Sequence, residues 1–175
     1  GERIYAKFER LKPETQELEL KFNLPYLGNL PFGIDTDFGL YRGSTNFLEL
    51  KSKLGLQYLF SGLDYIDASW YFNSLRLIEI DTVSLIANRR LPSQLDVNYT
   101  GGGVGVSIED VDYRFNPGKG WRGALNSTLG IKSIVANNTI QSISEGSLDF
   151  AEAYDTLELN SFQAELYAQI EYYKP

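Results

Sequence analysis

The stretch "TQELELKFNLPY", residues 15–26, decides the fold. Leu18, Leu20, Phe22, Leu24 and Tyr26 recur at every second position, and Glu17, Glu19, Lys21 and Asn23 fill the positions between. Successive side chains of a strand point to opposite faces, so this period predicts a strand apolar on one face and polar on the other. The pattern returns at greater length in "FLELKSKLGLQYLF", residues 47–60. There Leu48, Leu50, Leu54, Leu56, Tyr58 and Phe60 share a face against Glu49, Lys51, Lys53 and Gln57. Next, Ile66, Ala68, Trp70 and Phe72 oppose Asp67, Ser69, Tyr71 and Asn73. Near the end, Phe162, Ala164, Leu166, Ala168, Ile170 and Tyr172 oppose Gln163, Glu165, Tyr167, Gln169 and Glu171.

Weaker strands fill the gaps: Ile4, Ala6 and Phe8; Ile34, Phe38 and Leu40; and Trp121, Leu125, Leu129 and Ile131 against Arg122, Asn126, Thr128 and Lys132. In "VNYTGGGVGVSI", residues 97–108, the apolar parity changes across the glycine run, which predicts a bulge. The reading is all-β, an antiparallel up-and-down meander of about eight long strands. Its connections are short except after the fifth and seventh strands, and the short "KPET" and "RGSTN" fall at the same end as the long ones. "LGNLPFG", "SGLD" and the turn after Asp112 are short, whereas Ser74–Gln94 and about Ser133–Asp155 are long. A meander collects alternate connections at opposite ends, so one end has short turns and the other both long loops.

The 175 residues predict a single domain, 1–175. The chain holds no Cys, Met or His, which excludes disulfides, thiolate metal sites and a His general base. A formal charge of -7 argues against a nucleic-acid partner. No cofactor and no enzymatic activity are expected. The chain opens Gly1-Glu2-Arg3 with no visible signal segment, and it reads as an excised or partial chain.

Two environments satisfy one-sided alternation. In a soluble barrel the apolar face points inward, and in a membrane barrel it points to lipid. Three features favour lipid. Several runs reach the ~9–11 residues that a tilted strand needs to cross a bilayer. Aromatics stand near strand ends: Tyr26, Tyr58 with Phe60, Trp121, Tyr172 with Tyr173. The loop asymmetry matches that of outer-membrane barrels. The residues expected to face lipid are Leu18, Leu20, Phe22, Leu24, Leu50, Leu54, Leu56, Trp70, Phe72, Leu125, Leu129, Phe162, Leu166 and Ile170. The opposite face then lines a wet lumen whose mixed charges pair across neighbouring strands.

The turn "DYRFNPGKGWRGAL", residues 112–125, resembles the short periplasmic turn of the outer-membrane assembly barrel superfamily, which includes BamA, TamA and the two-partner-secretion transporters. The matching positions are Asp112, Arg114, Asn116, Pro117, Gly118 and Gly120. "LPYLGNLPFGI", residues 24–34, is similar to a hairpin of many members, and the Phe162 strand is similar to the one that precedes their large loop. The resemblance implies the third to tenth strands of a sixteen-strand barrel in the outer membrane of a Gram-negative bacterium. It implies insertion or translocation of other outer-membrane proteins, with lipid, client proteins and assembly lipoproteins as partners. The family's Arg-Gly-Phe loop is absent, and the resemblance places it beyond Pro175. Two readings stand beside this one: a soluble lipocalin-like binding module and a porin-type channel.

Other features read as structural. The Gly101–Gly103 run lacks the Lys-Ser/Thr and helix of a phosphate loop. Asp35 with Asp37, and Glu17 with Glu19, are alternating positions on one strand face. Arg89-Arg90 reads as exposed loop charge.

Overall fold

The computed structural model describes residues 2–12, 14–43, 47–62, 64–113, 115–145 and 148–174. Their strands are β1 (Arg3–Lys12), β2 (Thr15–Leu24), β3 (Phe32–Gly43), β4 (Phe47–Ser61), β5 (Asp64–Leu77), β6 (Asp96–Val111), β7 (Gly120–Val135), the two-residue β8 (Ser144–Glu145) and β9 (Leu148–Asp149), and β10 (Asn160–Tyr173). Among these residues one antiparallel eight-stranded sheet runs β1-β2-β3-β4-β5-β6-β7-β10, and β8 pairs with β9 apart from it. The meander therefore stands as read. The sheet is open, with β1 and β10 as its edges.

Register keeps the two faces separate across the whole sheet. One transverse row is Ile4, Phe22, Thr36, Leu54, Trp70, Gly102, Leu129 and Ala164. The next row towards the short turns is Leu24, Ile34, Leu56, Ala68, Val104, Ser127 and Leu166. Register shifts occur only beside connections, between Arg10 and Lys12 and between Leu59 and Ser61. A one-residue slip elsewhere would exchange the faces.

The bulge expected in the glycine run is not there. β6 pairs without a break with β5 from Val97 to Ser107 and with β7 from Asp96 to Val111. Val97 and Tyr99 therefore belong to the polar face, opposite in parity to Val104 and Val106. The sequence changed parity because that face becomes apolar near the long loops, where Leu75 and Ile134 flank Val97. The strands also run further than read. β5 continues to Leu77 and β7 to Val135, so the long loops are 78–95 and 136–159.

Those loops hold structure that strand periodicity does not announce. α1 (Thr82–Asn88) starts at Asp81, whose carboxylate accepts from the Ser84 N–H at 3.0 Å and from its hydroxyl at 2.6 Å. α2 (Asn138–Gln141) starts at Asn137, and α3 spans Phe150–Asp155. Among the described residues, the buried apolar side chains are Leu85, Ile140, Phe150 and Tyr154, and all lie in these loops. The core thus sits at one end of the molecule, and the sheet itself has none.

The strand ends are staggered at the short-turn end, whereas at the long-loop end β3, β4 and β5 stop on one row at Gly43, Phe47 and Leu77. On the row through Leu24, where β2 stops, β4 stands at Leu56 and continues to Ser61, and β6 stands at Val104 and continues to Val111. The strands are thus inclined to the line of their turns. A sheet closing into a barrel requires such tilt and stagger.

Candidate membrane interface

All fourteen residues expected to face lipid lie on one face of the sheet. It is not covered. On central strands Leu54, Leu56, Trp70, Leu125 and Leu129 remain about half exposed. At the edge, Phe162, Leu166 and Ile170 are 70%, 73% and 80% exposed. An apolar surface of this extent marks an interaction site, because monomers in water do not keep one open.

The polar face is the one on which clefts open, which makes it the hollow side of the sheet. Side chains on a concave surface crowd together, and those on a convex surface splay apart. The Asp35 and Glu109 side chains are only 15% and 17% exposed, although charged, while Lys21 and Lys51 on the same face stand 50% and 61% exposed. Several clefts open on this face among the described residues, two of them large. One of ≈ 610 Å³ is bordered by Glu19, Lys21, Asp37, Lys51 and Lys53. The other, of ≈ 1110 Å³, is bordered by Tyr71, Asn73, Tyr99, Asn126, Thr128 and Tyr167.

The charges of the hollow face pair in two ways. Across strands, Lys53 meets Asp35 at 2.7 Å and Arg122 meets Glu109 at 3.1 Å. Along strands, Lys7 meets Glu9 at 3.0 Å, Lys21 meets Glu19 at 2.6 Å and Lys51 meets Glu49 at 2.9 Å. Lys7 also lies 4.0 Å from Glu17 on β2, so cross-strand pairs form as expected, and pairs along a strand form beside them because residues i and i+2 share a face. From β5 onward the face is mostly uncharged. Tyr99 lies over Gly101 and Gly130, which face each other on β6 and β7, and a Cβ on Gly130 would sit 2.5 Å from the ring. This slot escaped the sequence reading, although glycines at one parity on adjacent strands were visible.

The turn motif is built around one carboxylate. Asp112 Oδ1 accepts from the N–H groups of Tyr113 at 2.9 Å, Gly118 at 2.9 Å and Lys119 at 3.0 Å. The Asp112 N–H donates to the Lys119 carbonyl at 3.0 Å. Pro117 has no N–H, so the donors come from residues around it. Gly120 enters β7 at φ +120, a conformation that disfavours any side chain. Arg114 lies outside the described residues. Of the motif, the structure thus brings together Asp112 and Gly118, with Gly120 closing the turn.

The Lys119 N–H, followed by those of Gly118 and Tyr113, holds the Asp112 carboxyl below the usual carboxylate range. A depressed folded value contributes stability above the unfolded value, and that stability is lost as pH falls through the folded one. The expected outcome is that amide protection at Tyr113, Gly118 and Lys119 falls across that acid window. Asp112→Ala lowers it at neutral pH and removes the pH dependence, as hydrogen exchange on the purified protein checks.

Among the described residues no group of three or more acidic, His or Cys side chains could hold a metal ion. No helix among them is long and apolar enough to cross a membrane. No protein-family model, no curated protein and no solved structure matches the chain. The fold and its surfaces define an all-antiparallel meander sheet, hollow and polar on one side, apolar on the other.

Proposed function

We propose that this sheet is part of the wall of a transmembrane β-barrel, with its apolar face against lipid and its hollow face lining the lumen. The carrying observation is the uncovered apolar face on the convex side of the sheet. Strands of 10 to 16 residues support it, because ~9–11 tilted residues cross a bilayer. The stagger of the strands at the short-turn end supports it as well. A lipocalin-like module would carry the apolar face inward, and here the hollow face is the charged one. The edges β1 and β10 do not pair with each other, and unpaired backbone groups in lipid cost several kcal/mol each. Both edges therefore meet further strands in the closed wall.

The resemblance of the Asp112–Gly120 turn and the residue 24–34 hairpin carries the finer proposal. The barrel is of the outer-membrane assembly kind, serving insertion or translocation of other outer-membrane proteins without a cofactor. Two measurements test these levels separately. The full-length protein fractionates with the outer membrane and requires detergent for extraction. A monomer soluble without detergent would overturn the membrane reading. Depleting the protein in cells lowers the amount of other outer-membrane barrels. If those stay constant while uptake of small solutes falls, the barrel is a porin-type channel.

A further inference from the structure

The apolar face carries its cations on one line. Arg10, Gln16, Arg42, Leu48 and Arg76 form a transverse row from β1 to β5, one position inside the shared end of β3, β4 and β5. The three arginines stand on alternate strands, so their backbones are about 10 Å apart at the usual strand spacing. Among the described strand residues of that face, every position between this row and Asp64 and Asp110 at the short-turn end is uncharged. The face is thus asymmetric in charge, with guanidinium groups at the long-loop end and carboxylates at the other. Residue type divides the two faces as well. Lys7, Lys21, Lys51 and Lys53 lie on the hollow face, each beside a carboxylate, whereas the cations of the apolar face are arginines.

Strand length sets the depth of this row. β3 and β5 are 12 and 14 residues long, and Arg42 and Arg76 are the last residue but one of each. A tilted strand crosses the hydrocarbon in ~9–11 residues, so both guanidinium groups reach the headgroup level. Arg10 and Arg42 are exposed there. Arg76 is held to the wall, donating to Asn98 Oδ1 at 2.8 Å and to the Leu75 and Val97 carbonyls at 3.0 Å and 3.3 Å. Asp96, the next position of the row, is buried, and its carboxylate accepts from the Leu77 N–H at 2.8 Å and from Asn137 Nδ2 at 3.0 Å. The row therefore presents positive charge outward. A guanidinium is a planar fork of donors that matches two oxygens of a phosphate, and an ammonium is a point charge without that fork.

We infer, resting on the membrane-barrel reading, that this arginine row binds the phosphate groups of anionic lipid in the leaflet at the long-loop end and holds such lipid against the wall of β1–β5. The full-length protein is reconstituted into vesicles of equimolar phosphatidylglycerol and phosphatidylcholine and extracted in mild detergent. Native mass spectrometry then counts the lipid retained, and heat-modifiable gel mobility scores the fold of each variant. The wild type retains phosphatidylglycerol in preference to phosphatidylcholine. Arg42→Gln with Arg76→Gln lowers that preference several-fold. Arg42→Lys with Arg76→Lys restores it only in part, because the charge returns without the fork. Arg89→Gln with Arg90→Gln, in the loop that follows β5, leaves it unchanged. If the Arg42/Arg76 pair fails to fold, Arg10→Gln with Arg42→Gln, both at exposed positions, carries the same expectation. Excess inorganic phosphate leaves the lipid in place, because its acyl chains lie along the apolar face. Displacement by inorganic phosphate would mean a site for the free anion and overturn the lipid assignment. Equal retention of the two lipids, or a preference that survives the glutamine variants, overturns the inference. A wild-type chain that does not insert overturns the membrane reading instead.

Discussion

Leu56→Arg lowers the stability of the inserted protein by ~2–4 kcal/mol, whereas Gln57→Arg, the next residue, changes it by no more than about 0.5 kcal/mol. The two positions are adjacent in sequence and opposite in environment. Leu56 lies in a transverse apolar row with Ile34 and Val104, half exposed on the convex face. On the proposed membrane reading, a guanidinium there enters hydrocarbon. Gln57 lies opposite Asp67 on the hollow face, where an added cation finds water and a carboxylate. Urea titration of the full-length protein in vesicles, read by heat-modifiable gel mobility, measures both changes. Phe60→Arg, nearer the turn on the same face, costs ~0–1 kcal/mol, because the penalty falls with distance from the bilayer midplane. A soluble core would destabilise equally at Leu56 and at a buried residue near a turn. Equal losses at Leu56 and Gln57 would refute the assignment of the faces.

The parts of this molecule that were legible in the sequence are those governed by a two-residue period. In β2 and β4 the apolar face was visible, because charged residues stand between the leucines. The order of strands followed from the short connections that join most successive strands. The motif around Asp112 was visible as turn chemistry, and its geometry explains the residue types. Asp supplies an acceptor for three amides, Pro117 removes a donor that would go unmet, and Gly120 takes a backbone conformation that a side chain would oppose.

What stayed hidden has a physical reason too. At Val97, parity was read as if one face stayed polar throughout. That assumption fails at the long-loop end, where the same face turns apolar. The signal was present as Leu75, Leu77, Val97 and Ile134 at the wrong parity, on three consecutive long strands. The helices of the loops are four to seven residues long, too short for a helical period to rise above its surroundings. Their capping residues, Asp81 and Asn137, were the readable trace. The openness of the sheet was not legible from periodicity, since alternation defines faces and says nothing of edges.

The second large effect concerns the slot beneath Tyr99. Gly130→Val destabilises the protein by ~1–3 kcal/mol through overpacking, and the loss nearly vanishes when Tyr99 is already alanine. The ring lies across Gly101 and Gly130 on a concave surface, where side chains already converge. A Cβ at Gly130 would come within 2.5 Å of Tyr99 Cε2, Cζ and Oη, so the ring must move before valine fits. Gly101 and Gly130 are paired directly, so the slot spans both strands. Glycine in a strand interior is unfavourable for entropy and leaves backbone open to solvent, and an aromatic laid over it restores contact. Tyr99→Ala alone therefore destabilises by the loss of ring contacts, and Gly130→Val added to it refills part of the space. Equilibrium unfolding of the four proteins of this cycle, in one lipid, gives the coupling. If valine costs the same with and without the Tyr99 ring, Gly130 serves the curvature of the backbone and the ring is incidental to it. If the cost disappears, the ring and the glycines form one packing unit, and the hollow face of β6 and β7 is shaped by tyrosine at a place where the strands themselves carry no side chain.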